Sequence, residues 1–484
     1  MKHDVVIIGG GLGALLCARL LTAAGRGVVV LERQRQAGGC MQSFTRHGRH
    51  YDTGLHYVGG LTEGQRLHTI FSHLGLMRLP WQRMDMDAFD RITIGSQQFA
   101  FAQGYERFAD TLASQFPNER EALHKYVDML RTLDALPLAH PEVQTYMEIN
   151  AYDYLTTLFH DPLLVSVLAG SALKMELRRE SLPLFTFAHG NSSFIGGSWR
   201  LQGPGNMLVD TLIEDIIRAG GQVVCGAEVT SLVEQDGRIT AARCANGEVY
   251  EADTFISNVH PTHTFALIEE SKVLSRIFRR RMSVVENTHG IVTTTVVLRP
   301  DTVPYFNYNH YVYATDNVWT TIDPATPVDR VMVSCQAPSS ASGYIDHLDL
   351  LTPVPFSMFE KWSDTRVGRR PSKYEKLKHD IATESIALAQ RVMPSLPDQV
   401  AQCYVTTPLT WRDYNHTPEG SAYGMRKDSR NALLTMLSPR TPISNLLLTG
   451  QSLLLHGVEG VTMTALLTCQ YLLGEEHIQS LMKE

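Results

Sequence analysis

The sequence has no closely spaced cysteine pair. Its seven cysteines, at positions 17, 40, 225, 244, 335, 403 and 469, form no C-x-x-C pattern, and their total is odd. Disulfide-stapled secreted domains and structural zinc sites use paired cysteines, so both classes are disfavoured. The pattern indicates free thiols in a reducing compartment and predicts no metal site.

The sequence also lacks a long hydrophobic run and an excess of basic charge. Apolar stretches such as 446–448 and 461–473 are shorter or more interrupted than the roughly 18–20 residues of a membrane-spanning helix. The first predicted strand begins by Val5 and leaves no room for a secretory signal, so we expect a cytoplasmic protein. A formal net charge of −7 argues against a nucleic-acid partner, which would favour a basic surface.

The start of the chain contains a strand, a glycine-rich turn and a helix in succession. Residues 5–8 predict a buried parallel strand, and the glycines that follow fit the pattern G-x-G-x-x-[G/A]. In that pattern the first glycine permits a tight turn, the second lets backbone approach a pyrophosphate, and the last small residue keeps helix and strand close. The N-terminus of the helix offers N–H groups to phosphate. The candidate contacts are Gly9, Gly11, Leu12, Gly13 and Ala14.

An acidic residue closes the second predicted strand, 28–31. Glu32 lies roughly twenty residues after the glycines, where a carboxylate accepts hydrogen bonds from ribose hydroxyls. The glycines and the acid together predict dinucleotide binding, but they do not separate NAD from FAD. Only one such fingerprint is present, so we expect no dedicated NADPH site, and the electron partner stays unknown.

The next segment favours FAD over NAD, because it resembles a segment of known flavoproteins. Arg33, the turn Gly38-Gly39-Cys40 and the Asp-Thr-Gly triplet ending at Gly54 resemble the second glycine turn and Asp-x-Gly loop of glutathione-reductase-like and amine-oxidase-like flavoproteins. The resemblance implies that this turn wraps the diphosphate and ribityl chain of FAD. The turn often continues with Arg in such proteins, and Cys40 stands there instead.

The length of the chain predicts two domains, since 484 residues exceed what one hydrophobic core usually supports. Helical patterns run from 61 to 197, a β-meander from 223 to 257, and a tyrosine-rich antiparallel sheet from 288 to 333. The predicted class is α/β, with a Rossmann-like FAD-binding domain formed by 1–60, 198–288 and 420–484. A discontinuous α+β substrate-binding domain is expected from 61–197 and 289–419.

Motifs spread over most of the chain resemble the family of flavin-dependent carotenoid desaturases, carotenoid isomerases and retinol saturases (phytoene dehydrogenase-like proteins), with the retinol saturase branch closest. They are GGGLGAL at 9–15, HYVG at 56–59, FIGG at 194–197, ISN at 256–258, TTPLTWRDYNHTPEGSAYG at 406–424 and TGQSLLLHGVEG at 449–460. Their common order is more specific than any single motif.

The resemblance implies further FAD contacts downstream. Val229 would approach the adenine, and the chain would pass the nucleotide again at Ser257 and Asn258. Ser452 stands where the family usually has Asp or Asn, which weakens a polar anchor for the ribityl chain. The remaining implied contacts are Gly450 and Gln451 at the diphosphate, and Gly460, Val461 and Met463 beside the isoalloxazine ring.

Three residues are candidates for catalysis. His56 and Tyr57 lie in the loop expected beside the flavin, where they would donate a proton or position the substrate; the alternative is that they only close the loop. Glu459 lies in the turn before the last long helix, and the alternative for it is a solvent-exposed position near a helix N-terminus.

The expected function is FAD-dependent saturation or desaturation of a carbon–carbon double bond in a lipophilic polyene of the retinoid or carotenoid kind. The alternatives are redox-neutral carotenoid isomerisation, amine oxidation, and a non-catalytic flavin-bound lipid carrier. Two basic runs, 272–281 and 366–378, are candidates for peripheral contact with an anionic membrane, and the alternative for each is a solvated helix face.

Overall fold

The computed structural model describes residues 2–338 and 343–483. Its strands in these ranges are β1 Lys2–Ile8, β2 Val28–Glu32, β3 Ser43–Arg46, β4 Arg49–Asp52, β5 Val58–Gly59, β6 Trp81–Arg83, β7 Asp90–Ile94, β8 Gln97–Phe101, β9 Ser198–Leu201, β10 Gln222–Cys225, β11 Val229–Gln235, β12 Arg238–Cys244, β13 Val249–Ser257, β14 Gly290–Leu298, β15 Asn309–Tyr313, β16 Arg330–Cys335, β17 His347–Val354, β18 Val400–Thr406 and β19 Leu446–Leu448.

The α-helices are α1 Leu12–Ala23, α2 Arg66–His73, α3 Tyr105–Gln115, α4 Arg120–Ala135, α5 Glu142–Glu148, α6 Ala151–Leu158, α7 Pro162–Leu168, α8 Leu184–Gly196, α9 Asn206–Arg218, α10 Pro261–Ala266, α11 Arg276–Val284, α12 Ser372–Ala389, α13 Leu396–Gln399, α14 Pro408–Asn415, α15 Ala432–Thr435, α16 Gly457–Leu473 and α17 Glu475–Ser480. Among them, none carries an apolar stretch long enough to cross a bilayer.

The first sheet has the order β10-β2-β1-β13-β12-β11, and β19 also pairs with β13. Strands β10, β2, β1, β13 and β19 run parallel, whereas β11, β12 and β13 form the predicted antiparallel meander. The sequence placed 223–225 in that meander, which was wrong, because β10 lies at the far edge beside β2. Helices α1, α9 and α16 cover one face of this sheet.

The second sheet has the order β18-β14-β17-β16-β15-β7-β8. It contains the predicted tyrosine-rich strands but is not wholly antiparallel, because β15 and β7 pair in parallel. Its central strands are buried on both faces, which explains their nearly continuous β-branched sequences. Val312 and Val331 pack towards α12, and their neighbours Tyr311 and Met332 point to the opposite face. That opposite face forms one wall of a cavity described below.

All seven cysteines lie in the described ranges and are free. Within the same part of the chain, no group of three or more His, Cys, Asp or Glu side chains is arranged to hold a metal ion.

Candidate active site

The carboxyl ends of four parallel strands open onto a cleft that we call the glycine cleft. Gly9 follows β1, Glu32 ends β2, Asn258 follows β13 and Gly450 lies just beyond β19. Parallel strands end at the same edge of a sheet, so residues distant in sequence line one site. The cleft contains about 1400 Å³ of empty space, including its mouth.

The backbone at the centre of the glycine cleft carries no side chains, because it is formed by glycines. A Cβ on Gly11 would lie 2.7 Å from Nδ2 of Asn258, and one on Gly13 would lie 2.6 Å from its Oδ1. Gly11 is also the N-cap of α1 and provides no side-chain hydrogen bond to the helix. The N–H groups of the first turn therefore need partners from elsewhere. This arrangement suits a phosphate group.

The two glycine turns predicted from the sequence pack against each other. The N–H of Gly38 donates to the carbonyl of Gly10 at 2.7 Å, and a Cβ on Gly39 would lie 3.3 Å from the Cα of Gly11. Cys40 follows, and burial raises the pKa of its thiol to about 11. The turn therefore presents a neutral thiol where related patterns carry a guanidinium.

The polar side chains after β2 are fixed by backbone contacts. Glu32 accepts hydrogen bonds from the N–H of Gly10 and of Gln34, both at 2.7 Å. Arg33 donates to the carbonyl of Asp413 at 2.7 Å, so its guanidinium ties the cleft to the end of α14. Backbone N–H groups thus engage both oxygens of Glu32 at the end of β2, while Arg33 supports the rim.

The structure gathers most of the predicted cofactor contacts in the glycine cleft but not all of them. Ala14 is buried inside α1, and the hydroxyl of Ser257 contacts that of Thr264 at 2.8 Å, so neither side chain reaches the cleft. The predicted residues that line it are Gly9, Gly11, Leu12, Gly13, Glu32, Arg33, Gly38, Gly39, Cys40, Val229, Asn258, Gly450, Gln451, Ser452 and Val461.

A second space, the inner cavity, continues from the glycine cleft and shares Cys40, Met41, Gln451 and Gly457 with it. It contains about 1370 Å³ of empty space, including its mouth. Most of its wall is apolar or aromatic, formed by side chains that include Leu55, Val58, Phe194, Ile291, Met332, Leu351, Trp411, Tyr423, Leu455 and Met463. The cavity is also lined by the predicted cofactor contacts Gly54 and Gly460 and by the catalytic candidates His56, Tyr57 and Glu459.

Tyr57 belongs to a buried polar group at the wall of the inner cavity. Its hydroxyl donates to Oδ2 of Asp90 at 3.0 Å and lies 2.7 Å from the hydroxyl of Tyr311. The Nζ of Lys174 lies 3.3 Å from the same Asp90 oxygen, and the Nδ2 of Asn309 donates to the other oxygen at 3.0 Å. Burial raises the pKa of Asp90 and lowers that of Lys174. This arrangement can hold and pass a proton at the cavity surface.

His56 faces a different acid. Its Nδ1 lies 3.8 Å from Oδ2 of Asp349, whose other oxygen accepts a hydrogen bond from Thr295 at 2.6 Å. Burial, with Arg200 and His347 nearby, lowers the pKa of His56 to about 4. Burial raises the pKa of Asp349 to about 7. His56 is therefore neutral at pH 7.

Glu459 lines the inner cavity rather than projecting into solvent from the start of α16. Its carboxylate lies close to Gly60, where a Cβ would meet Oε2 at 3.3 Å. Burial, reinforced by Asp134, raises the pKa of Glu459 to about 7. The three catalytic candidates thus face one cavity, and each has its own set of polar neighbours.

Comparison with known proteins assigns the chain to a family. The family model for flavin containing amine oxidoreductases matches residues 15–352. The chain belongs to this family.

Two relatives and one solved structure illustrate the likeness of this flavin-containing oxidoreductase to known proteins. The all-trans-retinol 13,14-reductase of Rattus norvegicus is 25% identical, over 96% of this chain and 85% of its own length. The chloroplastic prolycopene isomerase of Daucus carota is 24% identical, over 93% of this chain and 76% of its own. The cyclohexylamine oxidase of Brevibacterium oxydans has a TM-score of 0.62 at 13% identity, covering 100% of this chain and 99% of that one, and shows the fold alone.

These matches confirm the family resemblance, the α/β class and the FAD cofactor that the sequence predicts. The glycine cleft of the flavoprotein fits a dinucleotide, because Gly11 and Gly13 border it without side chains and the first turn of α1 has no capping side chain. The inner cavity adjoins this cleft, so a flavin ring can extend from one space into the other.

Sequence reasoning missed part of the flavoprotein's polar group. Asp90 and Lys174 match no motif and lie in different segments, and Tyr311 lies on a strand of the second sheet. Neither charge is isolated in the sequence, because Arg91 follows Asp90 directly and Glu176 lies two residues after Lys174. No sequence signal therefore marked them as a buried pair.

Proposed function

We propose that this flavoprotein saturates or desaturates a carbon–carbon double bond in a lipophilic polyene of the retinoid or carotenoid kind. The observation that carries the proposal is the largely apolar inner cavity that continues from the glycine cleft. A polyene offers few hydrogen-bonding groups, so its binding depends on burial. About 400–500 Å² at roughly 25 cal/mol/Å² gives around 10 kcal/mol before entropic costs. The names of the retinol reductase and prolycopene isomerase relatives support this substrate class.

The two sheets support the proposed domain division. Every strand of the first sheet lies within 1–60, 198–288 or 420–484, which we assign to FAD binding. Every strand of the second sheet lies within 61–197 or 289–419, which we assign to substrate binding.

The proposed cofactor contacts follow from the walls of the two spaces. Gly9–Gly13, Glu32, Val229 and Asn258 would hold the adenosine end, and the Gly38-Gly39 turn with Gly450–Ser452 would hold the diphosphate and ribityl chain. Gly54, Gly460 and Met463 would border the flavin ring. When bound, FAD accepts or donates the hydride that the reaction requires.

The polar group around Tyr57 is the proposed source of the proton. Saturation requires a proton at the carbon next to the one that receives hydride, and Tyr57 lines the inner cavity. Asp90 links Tyr57 to Lys174, whose pKa is lowered by burial, so the ammonium can replace the proton that Tyr57 gives up. In desaturation the same path carries the proton in the opposite direction.

Anaerobic reoxidation tests the proposal. The FAD-loaded protein would be reduced without oxygen and mixed with retinol and with carotenoids, and flavin absorbance would be followed. We expect at least one polyene to reoxidise the flavin, and Tyr57→Phe to slow this step by about 10²–10⁴-fold, as for loss of a general acid, with little change in polyene binding. If no polyene reoxidises the reduced flavin, the proposed saturation is wrong, and if no more saturated isoprenoid reduces the oxidised flavin without oxygen, the proposed desaturation is wrong.

The same experiment separates the alternatives. Isomerisation, which the name of the Daucus carota relative favours, predicts a changed polyene isomer without net flavin reoxidation. Amine oxidation predicts peroxide release with amines in air. A lipid carrier predicts bound FAD that no substrate cycles.

We also propose that the first basic run, 272–281, contacts an anionic membrane. It includes most of α11, where Ile277 is 82% exposed, and Arg281 donates to the carbonyl of the exposed Leu433 at 2.8 Å. Exposed apolar side chains beside basic ones suit an interfacial position. Each run also contains an exposed lysine paired with an acid, Lys272 with Asp236 in the first and Lys376 with Asp380 in the second.

Flotation with anionic liposomes tests this contact. We expect Ile277→Ser to reduce the floated fraction, while Val249→Ser, at a residue 51% exposed on the meander, leaves it unchanged. Equal flotation of both variants and the unaltered protein would contradict the assignment to α11.

A further inference from the structure

A primary amine lies in the largely apolar wall of the inner cavity. Lys174 lines this cavity, and its side chain is 7% exposed. Its Nζ lies 4.2 Å from the centroid of the Phe194 ring and 5.6 Å from that of Tyr57, and both rings line the same cavity. Asp90, the ion-pair partner of Lys174, is 0% exposed and is not among the described residues of the cavity wall. A molecule in the cavity therefore meets the amine and not the carboxylate of the pair.

The backbone around Lys174 is held by two other side chains of the cavity wall. The Nε2 of His456 lies 2.6 Å from the carbonyl oxygen of Lys174. The hydroxyl of Tyr423 donates to the carbonyl of Leu173. His456 and Tyr423 both line the inner cavity. The amine is thus carried by a segment that is fixed against the cavity.

The ion pair provides a way to free the nitrogen lone pair of Lys174. A lysine amine attacks a carbonyl carbon only in its neutral form, and in water its pKa of about 10.4 keeps it charged at pH 7. Burial lowers the pKa of Lys174 and raises that of Asp90. Since Nζ lies 3.3 Å from Oδ2, the ammonium can pass one proton directly to the carboxylate. A neutral amine then faces the cavity beside a protonated acid.

These two groups supply everything that imine formation from an aldehyde requires. The Nζ lone pair forms the C–N bond as the C=O π bond breaks, and the oxygen receives one proton from the nitrogen and one from Asp90. It leaves as water when the C=N bond forms, so nothing is oxidised or reduced. The iminium keeps the positive charge of the lysine, and Asp90 returns to its ionised form beside it. The buried carboxylate therefore never lacks a counter-charge in the product.

The wall of the inner cavity determines which aldehydes reach the amine. It is mostly apolar or aromatic, so the part of the molecule behind the carbonyl gains by burial only if it is apolar as well. We propose that Lys174 captures aldehydes that carry an apolar chain, as a reversible imine inside the inner cavity. This goes beyond the proposed function, because capture uses neither hydride from the flavin nor a double bond of a polyene.

Reductive trapping tests the proposal on the FAD-loaded protein. Butanal or hexanal would be added with sodium cyanoborohydride, which supplies the hydride that converts the C=N bond into a stable C–N bond, and the modified lysines would be identified by peptide mass mapping. We expect Lys174 to be half-labelled at an about 15-fold lower concentration of hexanal than of butanal. Two further buried methylenes, each of about 0.8 kcal/mol, give this ratio. Lys376, 75% exposed, should be labelled equally by both aldehydes.

Lys427 is the matched control within the same molecule. It is buried, and burial lowers its pKa to about 7. Its Nζ donates to the carbonyls of Thr435, Ser452 and Leu453 at 2.7–2.9 Å, and this described residue lines neither the glycine cleft nor the inner cavity. It should therefore stay unlabelled. Lys174→Arg keeps a cation for Asp90 but forms no imine, so the chain-length preference should be lost from the remaining lysines.

The outcomes separate this inference from the proposed function. Absence of label at Lys174, or equal half-labelling concentrations of the two aldehydes there, would overturn the inference, and both are measured on the unaltered protein. Equal labelling of Lys427 would also overturn it, because a lowered pKa alone would then explain the reaction. If Lys174 is labelled as expected but no polyene or more saturated isoprenoid exchanges electrons with the flavin, the imine site stands and the redox proposal is wrong. The reverse result leaves the redox proposal intact.

Discussion

The buried ion pair between Lys174 and Asp90 leads to a quantitative prediction. The side chains are 7% and 0% exposed, and Nζ lies 3.3 Å from Oδ2. At an effective dielectric constant of about 20, two unit charges at that distance attract by about 5 kcal/mol, of which desolvation offsets a part. Lys174→Met removes the attraction but leaves the Asp90 carboxylate buried. We expect the free energy of unfolding to fall by about 3–5 kcal/mol.

A double-mutant cycle isolates the pair. In the Lys174→Met/Asp90→Asn variant neither charge remains, so we expect a loss smaller than the sum of the two single losses by about 2–3 kcal/mol. Lys376→Met is the control, because its partner Asp380 lies on the same exposed helix surface, and it should cost less than about 0.5 kcal/mol.

Urea denaturation at a fixed FAD concentration, followed by circular dichroism, measures these differences. A loss below about 1 kcal/mol for Lys174→Met would refute the reasoning, because it would mean that Asp90 is protonated or solvated without its partner. Additive single losses would also refute it, because they would show that the two charges do not interact.

The remaining predictions concern the cofactor and pH. Gly11→Ala places a Cβ 2.7 Å from Asn258, so we expect loss of bound FAD by absorbance, while Gly27→Ala, with its nearest contact at 3.5 Å, retains it. The pKa of Glu459 is raised from 4.5 to about 7, so the folded chain binds the proton first and unfolding free energy should fall as pH rises from 4.5 to 7, and Glu459→Gln should remove this fall from the urea midpoints. The pKa of His56 is lowered from 6.5 to about 4, so the unfolded chain binds the proton first and unfolding free energy should fall on acidification from 6.5 to 4. The slope for this histidine is up to about 1.4 kcal/mol per pH unit, and His56→Gln should remove it from urea midpoints measured across that range.

The glycine cleft was predictable because its parts are local. A strand, a tight turn that needs glycine at a φ of +87° at Gly9, and a helix with an open N-terminus follow one another in the chain. Gly450 and Asn258 are remote in sequence, and only their resemblance to known flavoprotein motifs placed them at the same edge of the sheet.

Ser257 shows where such a resemblance is too coarse. Successive side chains of a strand point in opposite directions. Ser257, the last residue of β13, turns into the core and contacts Thr264, and Asn258 alone reaches the cleft. A motif identifies the place where the chain passes the cofactor, but the alternation of side chains along the strand decides which side chain faces it.

The Asp90 group was not predictable for another reason. Its members come from β7, from the segment before α8, and from β15, and the parallel pairing of β15 with β7 sets Tyr311 opposite Ile92, near Asp90. That pairing joins a strand from the helical segment to the tyrosine-rich sheet. No periodicity within either segment indicates it.

The charge state of the inner cavity bears on the choice between polyene and amine. An ammonium substrate would need an unpaired carboxylate, because desolvating a cation without a counter-charge is costly. Asp90 is already compensated by Lys174, and burial raises the pKa of Glu459 to about 7, which makes it a weak counter-charge near neutral pH. The polar groups of the cavity therefore balance one another and leave the apolar wall to bind the substrate, which favours a neutral polyene over an amine.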